Sequence, residues 1–369
     1  MIPNAYVYKV VTLNVNGIRA DTWKTLLANF LLSHNIDIAL LQEVVCPEIV
    51  DLPSYTTWIN IGTDLRGTAI LTSTGLVIDE VQRLPTGRGI AISIHNVWYV
   101  CVYAPSGAER RTDREAFFNT ELPLILPVTP KALLLAGDFN CIINKQDSTG
   151  NVPRSVALET LVHGMELHDV WESTNPRLGY THYAPLSASR LDRIYVSPQL
   201  YRQKQGVETV AAAFTDHMAV VVRLGSETLF QKRGRGYWKL NVSLLRDEQI
   251  LTVLTSKWKY WTRRQNQYPC TLAWWTRYVK DQLKWFLIRE GTARKKDRRK
   301  MESFLYTALY TAVEEVSDPH TLHTTITSIK RDILHLHNQP QHHYFLRTQQ
   351  QDHLGEERPT LFHLVKRWK

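Results

Sequence analysis

Eight residues share one setting and together suggest one chemistry. Asn14, Glu43, Tyr103, Asp138, Asn140, Asp192, Asp216 and His217 stand at the ends of apolar, strand-like runs. Magnesium takes one or two carboxylates and keeps several waters, which Glu43 suits. A water must be oriented and deprotonated in line with a leaving oxygen, and Asp138 suits that base. Asn140, His217 and Tyr103 are donors of different reach for charge developing on phosphorus. An imidazole needs a carboxylate to fix its tautomer, and Asp192 can provide it. Together these are the parts of metal-assisted phosphodiester cleavage. Each residue alone is ordinary, because a strand-end carboxylate is commonly a turn former. The weight lies in eight such groups reaching one edge.

The element that must position them first is the stretch Lys131–Cys141, KALLLAGDFNC. Its five apolar residues, Ala132 to Ala136, predict a strand buried on both faces. Gly137 ends that run and delivers Asp138 and Asn140 to the loop, where α/β enzymes commonly place their chemistry. Tyr6–Leu13 and Ile36–Leu41 predict two further strands, with a helix over 21–33 between them. Gly67–Thr72, Leu76–Leu84, Gly89–His95 and Val97–Tyr103 read as a meander of strands. Helices are expected over 112–126 and 155–166. Leu178–Asp192 reads as a loop or hairpin, followed by short strands over 191–196 and 218–224. This alternation predicts an α/β fold of two packed sheets with helices outside.

Composition divides the chain. Of 369 residues, 1–226 hold 18 Lys and Arg against 21 Asp and Glu, a net −3. Residues 227–369 hold 26 against 14, a net +12, and seven of the eleven tryptophans. A basic, aromatic-rich segment beside a carboxylate-rich one suggests a polyanion handled by an acidic site. Cys46, Cys101, Cys141 and Cys270 have no C-x-x-C spacing, which argues against structural zinc and a disulfide framework. The N-terminus lacks the pattern of a signal peptide, and no apolar run is long enough to span a bilayer. The expected organisation is a catalytic domain over 1–226, a linker over 227–238, a basic helical region over 239–338 and a polar tail over 339–369.

The segments LNVNGIR, LLQEV, VYAP, AGDFN, SRLDRIYVS and TDHMAV resemble, in order and spacing, the endonuclease/exonuclease/phosphatase superfamily. Within it the chain is similar to the apurinic-type endonucleases of LINE-type (non-LTR) retrotransposons, relatives of exonuclease III. The resemblance covers residues 6–224 and implies a four-layer α/β sandwich of two mixed sheets flanked by helices. It implies that Asn14, Glu43 and Asp216 bind or adjoin a magnesium ion, for which manganese can substitute. It implies that Tyr103 contacts the scissile phosphate, Asp138 activates water, Asn140 steadies water and phosphate, and Asp192 pairs with His217. It also places Arg19, Thr181, His182, Tyr183, Ser189 and Arg190 at a DNA surface, with the 183–188 loop as an apolar wedge. One departure stands out: Asn16 occupies a position where repair enzymes of the family often have Asp.

The resemblance implies a DNA endonuclease that nicks target DNA, and the DNA substrate together with the basic run Arg294–Lys300 suggests action in the nucleus. Alternatives in the same fold are abasic-site or 3′→5′ exonuclease activity in DNA repair, phosphatase-type hydrolysis, and an inactive relic that only binds nucleic acid. YWKLNVSLL, Trp274-Trp275 and GEERPTLFHLVKR resemble the segment preceding reverse transcriptase in LINE second open reading frames, so the chain reads as part of such an element. The basic helical region is a candidate surface for DNA or RNA, or else a solvated helix face.

Overall fold

The structure is a computed structural model that describes residues 7–17, 21–46, 52, 54–63, 66–127, 132–171, 176–225 and 242–337. The expected linker over 227–238 and the tail over 339–369 lie outside the described residues.

In chain order the elements begin with β1 (Val7–Asn14), α1 (Asp21–Ser33), β2 (Ile38–Val44), β3 (Tyr55–Ile61) and β4 (Gly67–Ser73). Next come β5 (Glu80–Arg83), β6 (Gly89–Ile94), β7 (Val97–Tyr103), α2 (Arg111–Ala116), β8 (Leu133–Asp138) and α3 (Val156–Gly164). The strands β9 (His168–Asp169), β10 (His182–Ala184), β11 (Ser187–Ser189), β12 (Asp192–Val196), β13 (Lys204–Ala211) and β14 (Met218–Gly225) follow. The helices α4 (Glu248–Thr262), α5 (Lys280–Glu315) and α6 (Pro319–His337) come last.

Two mixed six-stranded sheets result, ordered β13-β14-β1-β2-β4-β3 and β5-β6-β7-β8-β12-β9. In each sheet one central pair is parallel, β1 with β2 and β7 with β8. Their near-continuous apolar sequence follows from burial on both faces. Between the sheets, Val10, Ile38, Leu40 and Ile70 meet Ile92, Tyr99, Leu134 and Ile194. On the outer face of the first sheet, Leu13, Leu41 and Leu71 pack on Leu27, Phe30 and Leu31 of α1. On the outer face of the second, Val100, Leu133 and Leu135 pack on Phe117, Phe118 and Leu158. This is the four-layer sandwich.

Three expectations change. The run of strands over 67–103 is not one meander, since β4 lies in the first sheet and β5–β7 in the second. Strands β3 and β13 have no counterpart in the expected elements. Both are edge strands, mostly half-exposed, so their sequences carry no sustained apolar run. The helix over 112–126 is helical throughout but changes pitch. A wide turn over Phe117–Glu121 follows α2, then a tight one over Leu122–Ile125, near whose start sits Pro123. Proline lacks the N–H an α-helix would need there.

Residues 271–315 form nearly continuous helix, with a wide turn at Trp275–Val279 leading into α5. Around it Trp261 and Trp274 share a small core, and Trp274 Nε1 donates to Trp261 O at 3.1 Å. The C-terminal half of α5 and all of α6 dock on the sandwich. Leu309, Val313, Leu322, Ile326 and Ile333 pack with Tyr180, Tyr183, Ala188, Ala211 and Met218. No helix among the described residues is long and apolar enough to cross a membrane.

Candidate active site

Antiparallel pairing is what brings the chemistry to one edge. Asn14, Glu43, Tyr103 and Asp138 lie at the C-terminal ends of β1, β2, β7 and β8. Asp192 instead begins β12, and Asp216 and His217 precede β14. Because β12 runs antiparallel to β8, Asp192 falls directly opposite Asp138. Because β14 runs antiparallel to β1, its N-terminal end reaches the same edge as Asn14.

Local backbone aims the side chains. Between Gln42 and Val44 the pairing of β2 with β4 slips by one residue. Glu43 sits in that bulge with φ of 56°, and such bulges re-aim a side chain. Asn140 and Asn16, both with φ of 49°, share the left-handed region, which Asn tolerates far better than Glu. Strain of this kind costs on the order of 1–3 kcal/mol per residue and persists where surrounding structure enforces it. Gly137 is required by space: a Cβ there would stand 1.9 Å from Val102 O on the parallel neighbour.

The side chains form one connected network. Asn14 Nδ2 donates to Glu43 Oε1 at 3.1 Å and to Asp138 Oδ2 at 2.8 Å, joining the two sheets. Asp138 Oδ1 accepts from the Asn140 main-chain N–H at 2.9 Å, and Asn140 Nδ2 donates to Ala104 O at 3.0 Å. Tyr103 OH donates to Glu43 Oε1 at 3.0 Å. Asn16 Nδ2 donates to Asp216 Oδ1 at 2.9 Å, so the residue at the departing position works on the same cluster. His217 Nδ1 donates to Asp192 Oδ2 at 2.7 Å, and both residues are buried. Asp192 Oδ1 is buried and has no hydrogen-bond partner among the described residues.

Electrostatics separates the titrating groups. Burial, then the charge of Asp192, pushes Asp138 up to about 6, against His217 and the donors Asn14 and Asn140. Burial alone would lower His217, but Asp192, by charge and hydrogen bond, raises it to about 9 with help from Asp138 and Asp216. Near neutral pH the pair is therefore a buried carboxylate beside a charged imidazole. Both are raised together, which leaves one group ionised yet basic and the other protonated, the states that a base and a charged donor need. Asp216 is held well below the usual carboxylate range: burial raises it, but the neighbouring imidazoles of His182 and His217 outweigh that.

Two groups of ligand atoms could hold a cation, Asp138/Asp192/His217 and His182/Asp216/His217, each with all atoms within 4.8 Å of one another. Around them stand Glu43 and the Asn14 amide. Four carboxylates at one edge, with oxygen donors prevailing and no thiolate, match a hard divalent cation.

The residues expected at a DNA surface separate into three kinds. Arg19 lies outside the described residues. His182 is half-buried at the cluster's rim, its Nε2 3.6 Å from Asp216 Oδ2 and its ring 4.9 Å from that of His217. The other four are committed inside the protein. Thr181 Oγ1 accepts from the main-chain N–H of Leu191 and Asp192, at 3.1 and 3.0 Å, and so fixes where Asp192 starts. Ser189 shares a 2.7 Å bond with Ser148. Arg190 is paired with Asp147 and Asp169. Tyr183 is 5% exposed and packs in the core shared with α5 and α6, so it presents no wedge to a duplex. The loop that carries it is a hairpin, β10 with β11, whose tip exposes Leu186.

Several contributors have no signal in the sequence. Arg66 Nη1 lies 3.2 Å from Glu43 Oε2 and donates to Tyr103 OH at 3.3 Å. Arg88 stacks on the Tyr103 ring at 5.2 Å. Thr215 Oγ1 donates to Asn14 O at 2.9 Å and accepts from His217 N at 3.2 Å. Behind the site, buried Arg193 pairs with Asp147 at 2.8 Å and Asp169 at 3.3 Å. Thr215 and Arg193 fall inside motifs whose other residues carry the chemistry. Arg66 and Arg88 belong to no motif at all.

Residues 11–217 match the Endonuclease/Exonuclease/phosphatase family. Over 295 residues the chain is 27% identical to the "Transposon TX1 uncharacterized 149 kDa protein" of Xenopus laevis. That alignment covers 72% of this chain and 22% of the relative, so the chain spans about a fifth of the protein it matches. Among solved structures, the endonuclease domain of TRAS1, a telomere-specific non-LTR retrotransposon, aligns over 60% of this chain and 100% of its own, with 16% identity and a TM-score of 0.45. Truncated TDP2 of Caenorhabditis elegans aligns over 60% and 98%, with 19% identity and a TM-score of 0.46.

Proposed function

The chain belongs to the Endonuclease/Exonuclease/phosphatase family, and from that premise we propose that it is a magnesium-dependent DNA endonuclease of a non-LTR retrotransposon, nicking one strand of chromosomal DNA in the nucleus. The observation that carries the reading is the buried Asp138–Asp192–His217 constellation, whose side-chain nitrogen and oxygen atoms lie within 4.8 Å of one another.

Asp138 is the base. Its two oxygens are already oriented, one by the Asn140 N–H and the other by the Asn14 amide, and each keeps a lone pair for a water. With its carboxyl up at about 6 it is ionised near pH 7.5 yet basic enough to take a proton. His217 is the counterpart. Its Nδ1–H is spent on Asp192, so a charged ring has Nε2–H to give to a phosphoryl oxygen. Tyr103 is held by Glu43, Arg66 and Arg88 at the same edge, where its hydroxyl can reach a phosphate oxygen. Glu43, Asp216 and Asn14 are the residues that would hold magnesium, and a bound cation there would neutralise charge gathering on the phosphoryl oxygens. The family's known chemistry, the carboxylate set and the basic C-terminal half support DNA over a small phosphoester.

The test is nicking of supercoiled plasmid by the full chain, with magnesium or with chelator, for wild type and Asp138→Ala. Open circles are expected only from wild type with magnesium, and loss of a general base should lower the rate by ~10²–10⁴-fold. An inert wild type, or Asp138→Ala retaining more than about a tenth of the rate by that scale, would overturn the reading. A duplex with one abasic site, run in parallel, separates repair-type cleavage from plain nicking.

A further inference from the structure

The buried face of α6 is an apolar stripe with one charge in it. Leu322, Ile326, Ile333 and Leu336 are buried at helical spacing, and Lys330 lies among them at 7% exposure. A lysine there is costly unless its ammonium is bonded, and a leucine would fill the stripe without that cost. The ammonium has a definite destination. Lys330 Nζ donates to Thr215 O at 3.2 Å and to His217 O at 3.0 Å. These are the carbonyls on either side of Asp216. One side chain thus grips both ends of the three-residue turn that carries two working groups.

The grip comes from a firm base. Tyr306 OH donates to Ala211 O at 3.3 Å, and Tyr310 OH donates to Thr209 O. Arg177 donates to the carbonyls of Glu314 and Val316, and His323 Nδ1 meets Tyr183 O at 2.9 Å. These bonds tie α5 and α6 to β13, to the short turn over Pro176–Gly179 and to the β10–β11 hairpin. From within the sandwich the turn is held by Thr215 to Asn14 O and by Met218 N to Thr181 O. Lys330 closes it from outside, and it lies beyond the segment that matches the family, which ends at residue 217.

We propose that Lys330 is a positioning residue of the active site, and that the α5–α6 pair is therefore part of the nuclease rather than a separate module joined to it. The proposal rests on the reading of Asp216 and His217 as working groups. Without the ammonium the turn loses its outer anchor, and His217 Nε2 and Asp216 move relative to the scissile phosphate. A displacement of about 1 Å is enough to lower a rate on the order of 10²-fold. The loss is therefore expected in kcat rather than in KM.

The experiment uses the full chain and Lys330→Met, which keeps the length and apolar character of the stem. Four quantities are read: kcat and KM for plasmid nicking, melting temperature, and hydrogen exchange of the amides over 212–218. The expected result is a kcat lower by on the order of 10²-fold, KM unchanged, and faster exchange over the turn at a temperature where both proteins are folded. Lys330→Arg, which keeps a cationic donor, should recover part of the kcat. Should Lys330→Met fail to fold, Lys330→Gln takes its place with the same readings. Wild-type kcat and unchanged exchange in the folded variant would overturn the proposal, as would a lower melting temperature alone. A wild type that nicks nothing would defeat the functional reading separately. Exchange over 212–218 then still decides whether Lys330 holds the turn.

Discussion

Asp192→Asn is the perturbation that best separates this chemistry from a merely well-packed core. Asp192 Oδ2 is 2.7 Å from His217 Nδ1, and the pair is buried. The ring stands at about 9 rather than its ordinary 6.5. At 1.36 kcal/mol per pH unit, that difference is roughly 3 kcal/mol of preference for the charged ring. An amide supplies no charge, so the largest upward cause is lost and the ring falls from about 9 toward its ordinary 6.5. At pH 7.5 a ring at 6.5 carries the proton only about a tenth of the time. Those that are neutral and bonded through Nδ1–H offer Nε2 as an acceptor, useless to an oxyanion. The combined loss should be about 10²–10³-fold, the size of a missing oxyanion donor.

Nicking rates measured from pH 5 to 9.5 at fixed magnesium decide the matter. Wild type should show a plateau between an acid limb at about 6, from Asp138, and an alkaline limb at about 9, from His217. In Asp192→Asn both limbs should move toward acid, because Asp192 raises Asp138 as well as His217. Stability follows the same sign. A histidine raised in the folded state contributes fully below pH 6.5 and loses that contribution as the pH rises through about 9. The melting-temperature gap between wild type and variant should therefore close in alkali. An alkaline limb still near 9 in the variant would refute the assignment of His217 as the charged donor.

Glu43→Gln should raise the magnesium concentration for half-maximal rate, since a neutral amide is a weaker ligand for a hard cation; an unchanged titration midpoint removes Glu43 from the metal. Asp147→Asn should destabilise the fold by about 3–5 kcal/mol, because it leaves buried Arg193 short of one of its two carboxylates. Burial raises Asp147, but Arg193 and Arg190 outweigh it and hold the carboxyl below 3.8, so its contribution is present above that pH and lost as the pH falls through the depressed value. Denaturant midpoints at pH 7 and in acid should show the gap shrinking in acid. Reversing the exposed charges Lys296, Arg299 and Lys300 on α5 should shallow the log–log salt slope of DNA binding by up to about 0.9 for each phosphate no longer neutralised, with melting temperature unchanged. Equal slopes would make that face merely solvated.

What could be read in advance follows the strength of the physical signal. Strands β1, β2, β7 and β8 are buried on both faces, so each is written as an apolar run ending in a polar residue. Their ends are where Asn14, Glu43, Tyr103 and Asp138 stand. The pairing of Asp192 with His217 follows from chemistry, because an imidazole among carboxylates needs one as its partner. Edge strands carry no such run, and β3 and β13 pass as loop in the sequence. The hairpin misleads in a different way. Tyr183 looks like a surface wedge in sequence because nothing local says which face is covered. Its cover arrives from α5 and α6, more than a hundred residues later.

That distance is the general reason the rest was hidden. Local pattern reports what one segment buries, not what buries it. The C-terminal half reads as a basic, tryptophan-rich appendage because its charge is conspicuous and its apolar stripe is interrupted by Lys330. The interruption is where the two halves meet. A lysine on the buried stripe breaks the helical pattern because its partners are main-chain carbonyls of the catalytic turn, and no side-chain motif records a carbonyl. The same holds for Thr181, whose hydroxyl serves two peptide N–H groups, and for Thr215, which bonds the carbonyl of Asn14. The acid–base groups are visible in sequence because their chemistry demands particular side chains. Their positioners bond to backbone, which every residue possesses, and only the assembled fold shows which backbone that is.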